Sequence, residues 1–215
     1  MNSIPSTFST AVLFSSYLPS LQYFATLISH HHILIEKWEH FVKQTYRNRC
    51  YIYSANGALS LIIPIQHGRS EHTIMKDVKI AHDYNWQKIH WKSIEAAYRC
   101  SPFFEFYEDE FAPFYQKKYE YLMDYNEELM DIILKLLDIQ ITISYTEKHE
   151  KKYAENSTDF RSSLSPQIKM MDTHFHSPHY LQVFSNQHGF IPNLSIIDLL
   201  CNEGTNAKEY LNNLK

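Results

Sequence analysis

Lys43-Gln44-Thr45-Tyr46-Arg47-Asn48-Arg49 is the segment of this chain with the plainest capacity for chemistry. Between Glu39 and Glu71 there is no acid, yet the stretch carries Lys43, Arg47, Arg49 and Arg69. The chain as a whole is acidic, with 24 Asp and Glu against 20 Lys and Arg and a formal charge of -4. A cationic stretch against that background can hold an anion. Two guanidinium forks one residue apart, with the amides of Gln44 and Asn48 beside them, suit a carboxylate or a phosphate. The same charges also suit a solvated basic loop, or a loop in which one Arg pairs with Glu36 or Glu39 and only sets its shape.

Other residue types invite other chemistry. Glu36 closes the apolar run Ile33-Leu34-Ile35, where a carboxylate can orient a cation or an amine, or simply be solvated. His90 falls on the apolar stripe of a helical pattern, as a general base or as a core histidine. His174-x-His176-x-x-His179 and His30-His31-His32 look like metal ligands, but no nearby Cys completes a pattern and Pro178 opposes helical presentation. We expect no metal at either run. Asp198, three residues after Ser195, reads as a capping-box carboxylate.

Composition excludes several classes. Four Gly leave no Gly-rich phosphate loop, and the acidic balance argues against a nucleic-acid partner. Cys50, Cys100 and Cys201 are far apart with no CxxC, which fits a reducing cytoplasm. No run approaches 18 apolar residues, so no transmembrane segment is expected. The apolar residues 11–14 are followed by Ser15, Ser16 and Pro19 with no cation before them, unlike a signal peptide.

These residues need elements to place them. The 215 residues fit a loose leader over 1–10 and one domain over 11–215. Residues 11–14 read as a buried strand, and Leu21, Phe24, Ala25 and Ile28 line one helix face. With 33–35 as a second strand this is a βαβ unit with a right-handed crossover. Tyr17 and Glu36 then share the carboxyl edge, where open α/β sheets hold ligands. Asn56-Gly57 predicts a hairpin joining 50–55 to 58–65, and 78–80 suggests another short strand, making the sheet mixed. Helices follow from Asn85, from Ser101-Pro102 with Ser as cap, and along the stripe Leu129, Ile132, Ile133, Leu136 and Leu137. Residues 139–145 and 180–184 read as strands, 146–179 as loop, and 195–200 as a short helix with Gly204 near its end. The class is α/β with substantial helical cover.

Four blocks, in this order and spacing, resemble the WbqC-like proteins of bacterial surface-polysaccharide (O-antigen-type) gene clusters. They are Tyr17-Leu18-Pro19 with Tyr23-Phe24; Lys43 through Arg49; Trp86-x-x-x-His90 with Tyr98 and Pro102-Phe103-Phe104; and Phe190-x-Pro192-x-Leu194-Ser195 running to Leu200, with Gly204 beyond. Many relatives carry Gln-Pro where this chain has Ser15-Ser16, and Trp and Asn near Tyr46 and Cys50. The resemblance implies a transferase of polysaccharide synthesis that attaches glycine or a similar amine to a carboxylated sugar. In that reading Tyr17, Lys43, Arg47, Asn48 and Arg49 bind the anionic conjugate, and Glu36 and His90 assist the chemistry. A non-catalytic binding protein for an anionic sugar or nucleotide, or a structural subunit of a biosynthetic complex, are the alternatives. No cofactor and no oligomeric state is indicated.

Overall fold

The computed structural model describes residues 9–66, 73–150, 153–166 and 175–214. Strand β1, Thr10–Phe14, buries Ala11 to Phe14 completely. An apolar run without alternation marks a strand covered on both faces. Helix α1, Leu21–Ile28, follows, with Ser20 at its cap accepting from the Tyr23 amide. Strand β2, His32–Glu36, then returns parallel to β1, in register from Thr10↔His32 to Phe14↔Glu36. The βαβ unit expected from the spacing is present.

The hairpin is present too, as β3, Arg49–Ser54, and β4, Gly57–Ile62. Its tip is Ala55-Asn56, and Gly57 carries the positive φ of 93° rather than the Asn56-Gly57 pair occupying the turn. The parallel and antiparallel pairings expected of one mixed sheet are divided between two sheets. The reason is packing: β3 lies against helix α2, Trp86–Tyr98, and helix α6, Ile196–Glu203, and so has a core of its own.

Helix α3 is Phe104–Phe111 and α4 is Leu122–Leu136. Ser101 does not cap α3; its hydroxyl donates to the Tyr98 carbonyl at 2.6 Å and closes α2 instead. Residues 78–80 form isolated bridges, Ile65↔Ile80 and Lys79↔Tyr121, behind a 3-10 turn at Met75–Asp77. Strand β5, Thr142–Tyr145, lies parallel beside β2. Strand β6, Ser157–Asp159, lies parallel beside β1, inside the segment expected to be loop.

The strand expected at 180–184 is absent, because a side chain takes the place of a neighbouring strand. The Gln182 amide both donates to the Ile191 carbonyl and accepts from the Ile191 amide, each at 2.9 Å. Helix α5, Ser185–His188, follows, then α6 and α7, Ala207–Asn212. Ser195 caps α6, but Asp198 does not reach back to it. That carboxylate is buried and accepts from the Tyr180 hydroxyl at 2.5 Å and the Gln182 amide at 2.9 Å. Gly204 has φ +56, and a Cβ there would stand 2.5 Å from the Phe103 ring, so no larger residue fits.

Candidate functional site

The strand order is β5-β2-β1-β6, all parallel. The chain steps outward from β1 to β2 to β5, then adds β6 on the other side of β1. Beside β1 the order therefore reverses, and segments leaving the strands diverge there. Open α/β sheets place ligands at such a point, outside the carboxyl ends.

Buried charges collect at this edge. Glu36, the last residue of β2, is fully buried. Its carboxylate accepts from the Trp38 amide at 2.6 Å, from the Thr146 hydroxyl at 2.8 Å and from the Tyr153 hydroxyl. Glu39 holds Arg47 through contacts of 2.7 Å to Nε and 2.6 Å to Nη2. The Arg47 guanidinium also reaches Thr45 Oγ1 at 3.2 Å and lies 4.3 Å over the Phe14 ring. Burial pushes the Glu39 carboxyl up and the Arg47 guanidinium down, each opposed by the other's charge. Arg161, just past β6, grips Asp159 with both forks at 2.9 and 2.7 Å. Its third nitrogen reaches Glu39 at 3.4 Å and Glu36 at 3.9 Å. One network thus ties the ends of β2 and β6 to the loop carrying Arg47.

Above the network opens a cleft of about 390 Å³, walled by Glu39, Lys43, Thr45, Arg47, Asp159 and Arg161 among others. Small-ligand sites begin at about this size. Lys43 is exposed at its rim. Lys43 and Arg47 therefore share the cleft wall, while Glu36 lies fully buried outside it and reaches the network only through Arg161. Arg161, Asp159, Tyr153 and Thr146 complete the cluster and were not anticipated; they lie in or beside a segment with no periodicity, and only the three-residue β6 brings Arg161 to the edge.

The remaining candidates sit elsewhere. Tyr17 is fully buried, and its hydroxyl lies 3.0 Å from both His90 Nδ1 and the Tyr115 hydroxyl. His90 is 4% exposed, and burial lowers its pKa to about 4, so it is neutral at pH 7. Trp86 packs edge-on against it at 5.1 Å. Asn48 donates to the Ile63 carbonyl at 2.8 Å, below the hairpin, while its Oδ1 has no partner. Arg49 begins β3, and its Nε is likewise buried without a partner. Of the histidine runs, His179 stacks on Phe190 at 4.3 Å and His32 bridges Thr10 and Ser144; His174 lies outside the described residues.

The four sequence blocks meet in space. The Tyr17 amide donates to the Tyr46 carbonyl at 3.0 Å. Ser195 Oγ donates to the Leu18 carbonyl at 2.9 Å, and the Ile196 amide to Pro19 at 2.8 Å. Tyr17 reaches His90, and Phe103 shields Gly204. Leu18, at φ +40, turns the loop that all of them touch. The profile of the WbqC-like protein family matches residues 15–170. The chain belongs to this family. It is also similar to a Mycobacterium tuberculosis (H37Rv) protein described as uncharacterized, Rv1507c, with 24% identity over 94% of this chain and 96% of that one. No solved structure matches the chain significantly. Among the described residues no helix is long and apolar enough to cross a membrane.

Proposed function

We propose that this WbqC-like chain serves surface-polysaccharide synthesis as a transferase, and that the cleft at the carboxyl edge binds an anionic sugar conjugate. The observation that carries this reading is the coincidence of cleft and network at the reversal of strand order. Arg47 is held by the buried Glu39 and Arg161 by the exposed Asp159 with longer contacts to Glu39 and Glu36 before any ligand arrives, so little ordering is left for binding. Lys43 supplies a mobile charge at the rim. Glu36 is the residue for orienting an attacking amine at the strand end. The acceptor carboxylate or phosphate would lie against Lys43 and Arg161, and the amine to be attached, glycine or a relative, would approach from the Glu36 side. A reducing, cytoplasmic setting suits the three free thiols.

A second reading is favoured by one observation: the Glu36 carboxylate already accepts three hydrogen bonds, which suits a fixed structural anion in a protein that binds without chemistry. Calorimetric titration with nucleoside diphosphate sugars, with and without a sugar carboxylate, tests the shared claim. Binding is expected for the carboxylated sugar, weakened about ten- to a hundredfold in Arg161→Ala. Equal affinity of wild type and variant sinks the cleft assignment. Incubating the bound sugar, its carboxylate supplied as an acyl phosphate or thioester, with glycine separates the readings, since a transferase forms the amide and releases the phosphate or thiol, whereas a binder does not.

A further inference from the structure

The two edges of the β3–β4 hairpin differ. Along β3 the Tyr51 carbonyl accepts from the Ser195 amide at 2.8 Å, and the Tyr53 amide donates to the Tyr98 hydroxyl at 3.1 Å. Along β4 the ladder sets which groups face outward. The Ile63 amide donates to the Asn48 carbonyl at 2.8 Å, so by alternation Leu61, Leu59 and Gly57 bond inward to Cys50, Ile52 and Ser54. Ala58 and Ser60, both exposed, therefore turn their N–H and C=O groups away from β3. Among the described residues no backbone group bonds to them. An open edge invites another strand, and proteins ordinarily prevent this with charges, prolines or bulges. Strand β4 reads Gly-Ala-Leu-Ser-Leu-Ile in unbroken register and has none of these.

Helix α2 runs alongside, antiparallel to β4. Tyr98 at its end meets Tyr53, and the His90 ring, one turn from its start, meets the Ile62 carbonyl. Between strand and helix lies a groove of about 650 Å³. At a rise of ~3.4 Å and strand and sheet spacings of ~4.8 and ~10 Å, that is room for about four extended residues. Around the helix wall, at about 3.6 residues per turn, Ser93 lies deepest, then Ile89 and Ala96, then Lys92 and Lys88 at the rim. Ile89 is 56% exposed. No acid is among the described residues lining the groove. Lys92 meets Glu95 at 2.7 Å, a carboxylate that Arg99 shares, and Lys88 forms no ion pair with a described residue.

We propose that this groove takes an extended acidic segment of a partner protein as a third strand of the hairpin sheet. The segment's backbone pairs with Ala58 and Ser60, its apolar side chains cover Ile89 and Ala96, and its carboxylates reach Lys88 and Lys92. A second copy of this chain, paired edge to edge, would bring the same lysines together from both sides, so like charge disfavours it. The groove shares no wall residue with the Arg47 cleft, and binding there is independent of the transferase reading.

The test is an amide NMR titration of the full chain with the synthetic peptide acetyl-EEVTVEE-amide. Saturable shifts are expected at Ala58, Ser60, Ile89 and Ser93. The same peptide N-methylated at its three central residues keeps its sequence and charge but cannot donate to the edge, and should bind at least about tenfold more weakly. The double variant Lys88→Glu/Lys92→Glu, changed only at exposed positions, should weaken binding by about tenfold or more. Ser60→Pro removes an outward N–H while sparing the ladder to β3, and should weaken it as much. The lysine variant decides if Ser60→Pro does not fold. No saturable shift in wild type overturns the proposal. Equal binding of the N-methylated peptide, or undiminished binding by both variants, overturns it as well. So does a full-chain dimer in sedimentation that Ser60→Pro dissociates, since a second copy then holds the edge.

Discussion

Two buried polar groups lie on either side of the 15–20 loop, and they solve the same problem in opposite ways. At the sheet edge, Glu36, Glu39 and Asp159 each face the guanidinium of Arg47 or Arg161 within 4 Å. Beneath the hairpin, Tyr17, His90 and Tyr115 remain neutral and exchange hydrogen bonds of 3.0 Å. Burial raises Tyr17 and Tyr115 and lowers His90, away from the charged form in every case. The difference teaches where recognition of a charged ligand is feasible. A cluster of ion pairs next to a cleft can exchange one counterion for a ligand. A neutral network sealed under aromatic rings can only be opened at the expense of packing.

The largest effect that would break this contrast is expected from Arg47→Ala. Removing the guanidinium leaves Glu39 buried beside Glu36 with only the distant Arg161 contact. Breaking a buried pair on one side costs about 3–5 kcal/mol, and chemical denaturation should register that loss. Arg47 also covers Phe14, so some of the loss is packing. A variant as stable as wild type would mean that the edge ions are already hydrated, and the contrast with the core network would vanish.

Next in size is a pH effect from the neutral side. His90 titrates near 4 in the folded chain and near 6.5 when unfolded. Between those values the unfolded chain takes up a proton that the folded one refuses, so stability must fall as the pH falls. The shift corresponds to about 3 kcal/mol lost across that window. His90→Phe, which cannot be protonated, should flatten this part of the stability profile relative to wild type. An unchanged slope in the variant would place the titration elsewhere.

How much of this was legible in the sequence follows from where the information lies. The βαβ unit was readable because β1 is an unbroken apolar run and α1 repeats its apolar residues every three to four positions. The hairpin was readable from Asn56-Gly57, although Gly57 turned out to bear the unusual φ. Strand β6 was not, because Ser157-Thr158-Asp159 has no hydrophobic pattern; it forms by completing the open hydrogen-bonding edge of β1. Arg47 and the acids near it were visible as charges. Arg161 was not, since it reaches them only through β6. The pairing of Tyr17 with His90 spans 73 residues, and no local spacing reports a contact at that distance. Asp198 carried the expected sequence for a cap, but burial drew its carboxylate toward Tyr180 and Gln182.

The smallest expected effect on stability belongs to Lys43→Ala, and it sharpens the comparison most. Lys43 shares the cleft wall with Arg47 and Arg161 but stands exposed at its rim. An exposed lysine contributes little to folding, so the change should stay within about 0.5 kcal/mol of wild type. Its worth lies in binding: it attracts an anion that the buried Arg47 and the half-buried Arg161 then hold. Affinity for a carboxylated nucleoside diphosphate sugar should drop about tenfold, and the drop should shrink as salt is raised, because a rim charge is screened. Arg47→Ala would lose stability and binding together, which proves little about recognition. Lys43→Ala separates the two. Full affinity in this variant, at low salt and with normal stability, would leave the basic segment as a solvated loop above a structural ion network.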